Sequence, residues 1–247
     1  MASTHLPDGV TNVAESVALG SYVAPDPTKC HTWFSDFDQY NAGLTTTPGE
    51  WLPTITGSGT ATITDEDGGI LLLTNDTNED DAYWTQWKGW NSNVAETFTW
   101  TANKALWFKC RFKVSEATQS DLQIGLVVTD TTPIDAADGI FFVKVDGSAE
   151  VNFKAIKTGA SNTTATVATL ADDTYVTLGF AYLPFGDGVV SSEAICKLYV
   201  DDAYVGSVST FTNFPSTELA VSFGYQNGSA GAKTMSLDYI VVSKQRD

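Results

Sequence analysis

One stretch, residues 106–114 (LWFKCRFKV), constrains the fold of this chain more than any other part of the sequence. Its alternate residues are apolar, namely Leu106, Phe108, Cys110, Phe112 and Val114, and the residues between them are Trp107, Lys109, Arg111 and Lys113. Successive side chains of a β-strand point to opposite faces of a sheet, whereas a helix would mix the two sets. The stretch therefore predicts a central antiparallel strand with one face in the core and the other in water.

The rest of the chain repeats this pattern. We count about a dozen short strand-like runs separated by Gly, Asp, Asn and Pro, and no convincing amphipathic helix. Residues 174–183 and 219–225 are two clear examples of alternating apolar and small or polar residues. Because a β-sandwich of this size is commonly one domain, the sequence predicts a single all-β sandwich or barrel.

The first 29 residues differ from the rest. They are small and polar, with prolines at positions 7, 25 and 27. Such a composition cannot close a core of its own, so we predict an extended N-terminal arm over residues 1–29 and a folded domain over residues 30–247. The arm carries scattered apolar residues that are able to lie on a neighbouring protein: Val10, Val13, Val17, Leu19 and Tyr22.

Charge and cysteine content exclude several functions. The chain has 30 acidic and 13 basic residues, a formal net charge of -17, which opposes contact with a phosphate backbone, so nucleic acid is not an expected partner. Three cysteines are too few for a disulfide framework, and we expect reduced thiols and synthesis in a cytoplasm. No stretch has the pattern of a signal peptide or a membrane span.

Two segments in the C-terminal half are similar to a known fold. Residues 197–206 and 236–242 resemble the closing strands of concanavalin A-like lectin and glucanase jelly rolls. This resemblance implies an antiparallel jelly-roll β-sandwich, and such a likeness reports fold rather than function.

A narrower resemblance covers most of the predicted domain. Six segments resemble a family of bacteriophage virion proteins: residues 33–38, 67–75, 106–114, 119–126, 138–142 and 221–228. The resemblance implies a non-enzymatic capsid decoration or cement protein that binds the major capsid protein on the outer surface of the virion and stabilises the head. It also implies synthesis in the host bacterial cytoplasm, a homo-oligomer with trimers as one arrangement, and no cofactor. The apolar residues of the arm are then the predicted capsid contacts.

Catalytic and metal-binding patterns are weak. No Glu-x-Asp-x-x-Glu run, which places paired carboxylates along one strand in laminarinase-type glycosidases, occurs here. Asp36 and Asp38 would point the same way on a strand, although such residues more often belong to a turn. His31 has no nucleophile motif around it, and its neighbour Cys30 would face the opposite way on a strand. We therefore predict no catalytic residue and no metal site.

The alternative function is a lectin-like carbohydrate-binding module on the virion, at the head or a tail fibre, that recognises host glycan. Its candidate residues are Trp84, Trp90 and Asn91, because sugar binding needs exposed aromatic rings and amide groups. Strand alternation predicts that Trp84 and Trp87 lie on opposite faces. The acidic runs at residues 65–68 and 78–81 match no EF-hand loop, and we interpret them as solvated turns rather than calcium sites.

Overall fold

The computed structural model describes residues 27–44, 47–65, 68–89, 95–186 and 192–246, and about 55% of the structure is β-strand. One short 3₁₀ helix, Pro133–Asp135, interrupts them. In the described part of the chain no helix is long and apolar enough to cross a membrane. The strands are β1 Cys30–Ser35, β2 Trp51–Thr56, β3 Thr60–Asp65, β4 Gly69–Thr74, β5 Ala82–Trp87, β6 Phe98–Thr99, β7 Leu106–Val114, β8 Ser120–Val127, β9 Gly139–Lys144, β10 Glu150–Lys157, β11 Ala160–Thr169, β12 Val176–Leu183, β13 Ile195–Val200, β14 Ala203–Val208, β15 Glu218–Asn227 and β16 Thr234–Gln245.

These strands form two antiparallel sheets. The β7 sheet has the order β14-β13-β12-β7-β16-β4-β3, and β1 pairs with the C-terminal half of β16 beside β4. The β8 sheet has the order β11-β10-β9-β8-β15-β5-β2, and β6 pairs with the start of β15. The two sheets pack face to face, which confirms the predicted all-β jelly-roll sandwich.

Strand β7 confirms the alternation that predicted it. The side chains of Phe108, Cys110 and Phe112 are at most 2% exposed, whereas Trp107 is 37% exposed. The strand lies in the middle of its sheet, where Cys110 pairs with Leu178 of β12 on one side and Ile240 of β16 on the other. Its inner face therefore contributes to the core at the centre of the sandwich.

Aromatic rings fill much of the space between the sheets. Phe108 stacks on Phe180 of the neighbouring strand with ring centroids 5.3 Å apart, and Phe142 of the β8 sheet approaches Phe108 to 6.4 Å. Burying each such ring contributes roughly 2–3 kcal/mol. Cys110 and Cys196 are unpaired and buried in this core, and burial raises the pKa of both thiols, so they act as small apolar side chains.

The structure contains more strands than the sequence pattern predicted. β1 begins at Cys30, after a turn at residues 27–29, and antiparallel pairing with β16 joins it to the β7 sheet. The proline-containing strand β2 was also missed, because its sequence shows no sustained alternation. The predicted arm falls mainly on residues 1–26, which lie outside the described residues.

Candidate functional site

The chain turns sharply where β1 ends, and the core fixes this turn. Phe37 has φ 47°, a left-handed conformation that is strained for a residue with a bulky side chain. Its ring is fully buried and lies between Trp51, at 6.0 Å, and Phe223, at 5.8 Å. Core packing therefore holds Phe37 in place and sets its neighbours Asp36 and Asp38 on the surface side of the turn.

Two further contacts hold this turn against the sandwich. The backbone N–H of Gly69 donates to the carbonyl of Asp36 at 2.9 Å, and a Cβ at position 69 would lie 1.7 Å from the carbonyl oxygen of Phe37, so only glycine fits. Downstream, the Tyr40 hydroxyl lies 3.2 Å from the hydroxyls of both Tyr83 and Thr85. The segment between β1 and Tyr40 is thus fastened at both ends.

Three tryptophans meet beside this turn. Trp33 of β1 approaches Trp87 of β5 to 5.2 Å and Trp51 of β2 to 5.7 Å, and Trp51 and Trp87 are 5.5 Å apart, all edge to face. Trp51 is buried, whereas Trp33 and Trp87 are half-buried. Since β1 belongs to the β7 sheet and β2 and β5 to the β8 sheet, these rings line the open edge between the two sheets.

A carboxylate from another loop completes the surroundings of the rings. The fully buried Lys88 donates from Nζ to the carbonyls of Leu44 and Thr47, and its backbone N–H donates to the carbonyl of Glu50 at 2.6 Å. The side chain of Glu50 accepts a hydrogen bond from Asn41 at 3.4 Å. Lys88 therefore anchors the loop before β2 and places Glu50 at the edge of the sandwich.

Together these residues form one cleft of about 350 Å³, which we call the edge cleft. It is lined by Trp33, Phe34, Ser35, Asp36, Asp38, Gln39, Glu50, Trp51 and Trp87. The cleft combines apolar ring surface with carboxylate and amide groups, and the ring of Phe34 is 58% exposed beside it. Rings offer stacking surface to an apolar ligand face, and carboxylates accept hydrogen bonds from hydroxyl groups.

The outer face of the β8 sheet is covered around β5 and β9, whereas towards β10 and β11 it remains open in a polar hollow of about 440 Å³. Gln86 of β5 donates from Nε2 to the carbonyl of Val128 at 2.9 Å, and its Oε1 accepts the N–H of Asp130 at 2.9 Å. These bonds fasten the segment between β8 and β9 over the sheet. Ala136 of this segment packs into a small apolar cluster with Val127, Phe141, Val143 and Ile156 of the sheet.

The residues predicted to bind carbohydrate are not among those that line the edge cleft. Trp84 and Trp87 do lie on opposite faces, but Trp84 is only 3% exposed and packs against Gly224 on the closed face, so its ring offers no open surface. Its role in sugar binding stays a prediction. Trp90 and Asn91 lie outside the described residues, as do the predicted capsid contacts Val10, Val13, Val17, Leu19 and Tyr22.

His31 and the acidic run at residues 78–81, which the sequence analysis considered as possible sites, make ordinary packing and turn contacts. The ring of His31 stacks on Phe98 at 4.7 Å, and burial, Arg246 and Lys244 lower its pKa, so it is a neutral packing residue at physiological pH. Asp81 is buried and accepts the N–H of Asn78 at 2.8 Å, as a turn carboxylate does. Among the described residues, no group of three or more His, Cys, Asp or Glu side chains is arranged to hold a metal ion.

The sequence did not reveal the edge cleft as a unit. Asp36 and Asp38 were considered as a strand pair, but β1 ends at Ser35 and the two residues flank a left-handed turn instead. Trp33, Trp51 and Trp87 are far apart in the sequence and meet only through the pairing of β1 with β16 and of β2 with β5. The sequence gives one signal of this cleft, which is the sudden change after residue 30 from small and polar residues to aromatic ones.

Comparison with known proteins adds information on the fold. No family model and no curated protein sequence matches this chain significantly. Among solved structures, a protein of unknown function from Shewanella oneidensis MR-1 is 17% identical with a TM-score of 0.59, covering 88% of this chain and 87% of that one. A β-1,3-1,4-glucanase (lichenase) from a mouse hindgut metagenome is 13% identical with a TM-score of 0.56, covering 85% and 98%.

A third similar structure is the carbohydrate recognition domain of Emp47p, which is 14% identical with a TM-score of 0.50, covering 89% of this chain and 98% of the domain. At these identities the likeness concerns the fold alone. The chain therefore has a concanavalin A-like jelly-roll fold.

Proposed function

We propose that this chain is a carbohydrate-binding protein and that the edge cleft holds the sugar. The observation that carries the proposal is that one cleft joins two half-buried tryptophan rings to three carboxylates and the amide of Gln39. Pyranose rings have apolar C–H faces that stack on aromatic side chains, and their hydroxyls donate to carboxylates. Glucanases and a carbohydrate recognition domain on the same fold support this proposal.

We further propose that the protein binds sugar without cleaving it. Retaining glycosidases hold two carboxyl groups about 5 Å apart on either side of the scissile bond. Here Asp36 and Asp38 flank the turn at Phe37, and Glu50 comes from a separate loop. None of these carboxylates lies on a strand that presents a pair of them to one bond.

The test begins with a glycan array of bacterial surface oligosaccharides and continues with titration calorimetry of the best ligand. Asp38 and Phe34 are exposed, so Asp38→Asn and Phe34→Ser should fold normally. We expect each to weaken binding about tenfold, the effect of losing roughly 1.4 kcal/mol of contact free energy. Mass spectrometry of the incubated ligand should show no cleavage products.

The matched control is Glu150→Gln, which neutralises an exposed carboxylate on β10, at a distance from the cleft in the β8 sheet. Its affinity should equal that of the unchanged protein. Failure to bind any oligosaccharide would remove the proposal, and equal affinity of Asp38→Asn and the unchanged protein would move the site away from the edge cleft.

A second proposal is the capsid-decoration role that the virion-protein resemblance implies. The segments that carry this resemblance include parts of β1, β4, β7, β8, β9 and β15, and these strands build the sandwich itself. Display of a glycan-binding jelly roll on a phage head or tail fibre would unite the two proposals. A chain that binds no glycan but is present in purified virions at a simple ratio to the shell protein would favour decoration alone.

A further inference from the structure

The side chains that line the edge cleft carry negative charge and no positive charge. Asp36, Asp38 and Glu50 are acidic, and the other lining residues are aromatic, Ser or Gln. All thirteen Lys and Arg residues of the chain lie in the part that the structure describes, and none of them lines the cleft. A ligand that enters the cleft therefore meets three carboxylates and no basic side chain.

Lys88 is close to the cleft in sequence but serves the protein rather than a ligand. It follows Trp87 directly, and its side chain is fully buried. Its ammonium donates to the carbonyl oxygens of Leu44 and Thr47. Lys88 thus holds the loop before β2, which carries Glu50, and its charge is not presented among the lining side chains.

Asp38 is the carboxylate of the cleft that is most open to a ligand. Its side chain is exposed, whereas Asp36 and Glu50 are half-buried. Within the described part of the chain, no hydrogen bond or ion pair involves the Asp38 carboxylate. The buried ring of Phe37 and the close approach of Gly69, where a Cβ would lie 2.4 Å from the Asp38 nitrogen, fix the backbone here. The carboxylate is therefore presented by an ordered turn, which reduces the entropy lost on binding.

The two half-buried tryptophan rings of the cleft form a corner. The planes of Trp33 and Trp87 make an angle of 63°, and their centroids are 5.2 Å apart. The face of an indole ring carries partial negative charge and attracts a cation that lies within about 6 Å of its centre. The aromatic part of the lining thus favours the same sign of ligand charge as the carboxylates.

The polar groups of the lining favour a sugar over a basic peptide as the source of this cation. Ser35 and Gln39 add a hydroxyl and an amide to the cleft. These groups match the hydroxyls around a pyranose ring, whereas a lysine side chain brings an aliphatic stem that has no such partners. A hydrogen bond from an ammonium to a carboxylate is also roughly twice as strong as one between neutral groups.

We propose that the edge cleft selects an amino sugar, one whose amine is free and protonated, over neutral and N-acetylated sugars. This inference rests on the proposed function, because it names the class of sugar that the same cleft binds. Asp38 is the carboxylate that receives the ammonium, and Trp33 and Trp87 supply ring surface beside it. The negative charge of the whole chain adds a long-range attraction that salt weakens.

The test is titration calorimetry of the full chain at about pH 6, where sugar amines are protonated. The three probes are β-1,4-linked tetramers that differ only at carbon 2: tetraglucosamine, tetra-N-acetylglucosamine and cellotetraose. We expect tetraglucosamine to bind at least about tenfold more tightly than the other two, and its affinity to fall as sodium chloride is raised. This comparison uses the unchanged protein, so it does not depend on the folding of any variant.

Variants locate the selectivity in the cleft. Asp38→Asn should weaken binding of tetraglucosamine about tenfold and change binding of cellotetraose less, whereas Asp38→Glu, which keeps the charge, should retain the preference for the amine. The matched control is Glu150→Gln, which removes one exposed carboxylate from β10 and should leave the preference unchanged. Unfolding temperatures of the three variants show whether a loss of binding is a loss of fold.

Four outcomes would overturn the proposal. Equal affinity for tetraglucosamine and cellotetraose would leave sugar binding in place and remove the selection of an amine, and so would tight binding of other oligosaccharides with no binding of tetraglucosamine. Equally tight binding of hexalysine would point to a basic peptide as the partner. An equal loss of tetraglucosamine affinity in Glu150→Gln and Asp38→Asn would assign the preference to overall charge rather than to the edge cleft.

Discussion

The two sheets have similar inner faces and opposite outer faces. Outward positions of β7 carry Trp107, Lys109, Arg111 and Lys113 and remain open, whereas outward positions of β9 carry Phe141 and Val143 and are covered by the segment between β8 and β9. A strand buried on both faces has a continuous apolar sequence, and a strand with one open face alternates. The sequence of each strand thus records whether its outer face is covered.

Substituting a glycine on each outer face should give the largest difference in the free energy of unfolding. Gly224 lies on the closed face, where a new Cβ would be 2.5 Å from the Tyr83 carbonyl oxygen and 2.4 Å from the Trp84 ring. Gly224→Ala should therefore lower the free energy of unfolding by about 3 kcal/mol, as overpacked positions do. Urea denaturation measures the change.

The matched variant on the open face is Gly179→Ala. Its Cβ would lie 3.1 Å from the Phe108 carbonyl oxygen, and the next nearest atoms belong to the flexible side chain of Lys109 at 3.8 Å. We expect a loss below about 1 kcal/mol. Equal losses for the two variants would mean that the outer faces do not differ in packing.

Two lysines extend the comparison to charge. Lys144, at the end of β9, is fully buried and donates to backbone and hydroxyl oxygens of Ser120, and burial lowers its pKa to about 8. The unfolded chain then binds more protons than the folded one between about pH 8 and the ordinary lysine pKa, so the free energy of unfolding rises with pH there. Relative to Lys144→Met, the unchanged protein should gain about 1 kcal/mol from pH 8 to pH 9.

Lys109→Met is the control on the open face. The raised pKa of Lys109 means that its stabilising contribution is complete below the ordinary lysine pKa and is lost only above it. The difference between the unchanged protein and this variant should therefore stay constant from pH 8 to pH 9. Tyrosine and cysteine titrations are common to all three proteins and cancel. If the difference in free energy of unfolding between the unchanged protein and Lys144→Met also stays constant from pH 8 to pH 9, Lys144 is not desolvated.

How much the sequence could predict depends on how local each feature is. Alternation in residues 106–114 predicted β7 and both of its faces, because strand periodicity is a property of neighbouring residues. The left-handed turn at Phe37 has no such marker, since the position holds neither Gly nor Asn. Tertiary packing of that ring imposes the turn.

The binding surfaces were less predictable because strand register builds them. Trp107 of β7 and Tyr199 of β13 line the same hollow on the outer face of the β7 sheet only because both strands pair with β12, and no local pattern reports which residues of distant strands are paired. The burial of Trp84 likewise requires knowing that the outer face of its sheet is covered. Composition indicated aromatic surface, and the positions of the rings had to come from the fold.

The ion pair between Lys109 and Asp202, on the outer face of the β7 sheet, gives the smallest expected effect. Lys109 Nζ lies 2.6 Å from Asp202 Oδ1, but the two side chains are 37% and 73% exposed. Water and salt screen such a pair, so Asp202→Asn should lower the free energy of unfolding by at most about 0.5 kcal/mol.

Asp238 pairs with Arg111 and is only 17% exposed. Asp238→Asn should therefore lower the free energy of unfolding by more, because it leaves a partly desolvated guanidinium without its carboxylate. If Asp202→Asn proves the more damaging of the two in urea denaturation, the outer face of the β7 sheet is less open to solvent than the β7 side chains indicate.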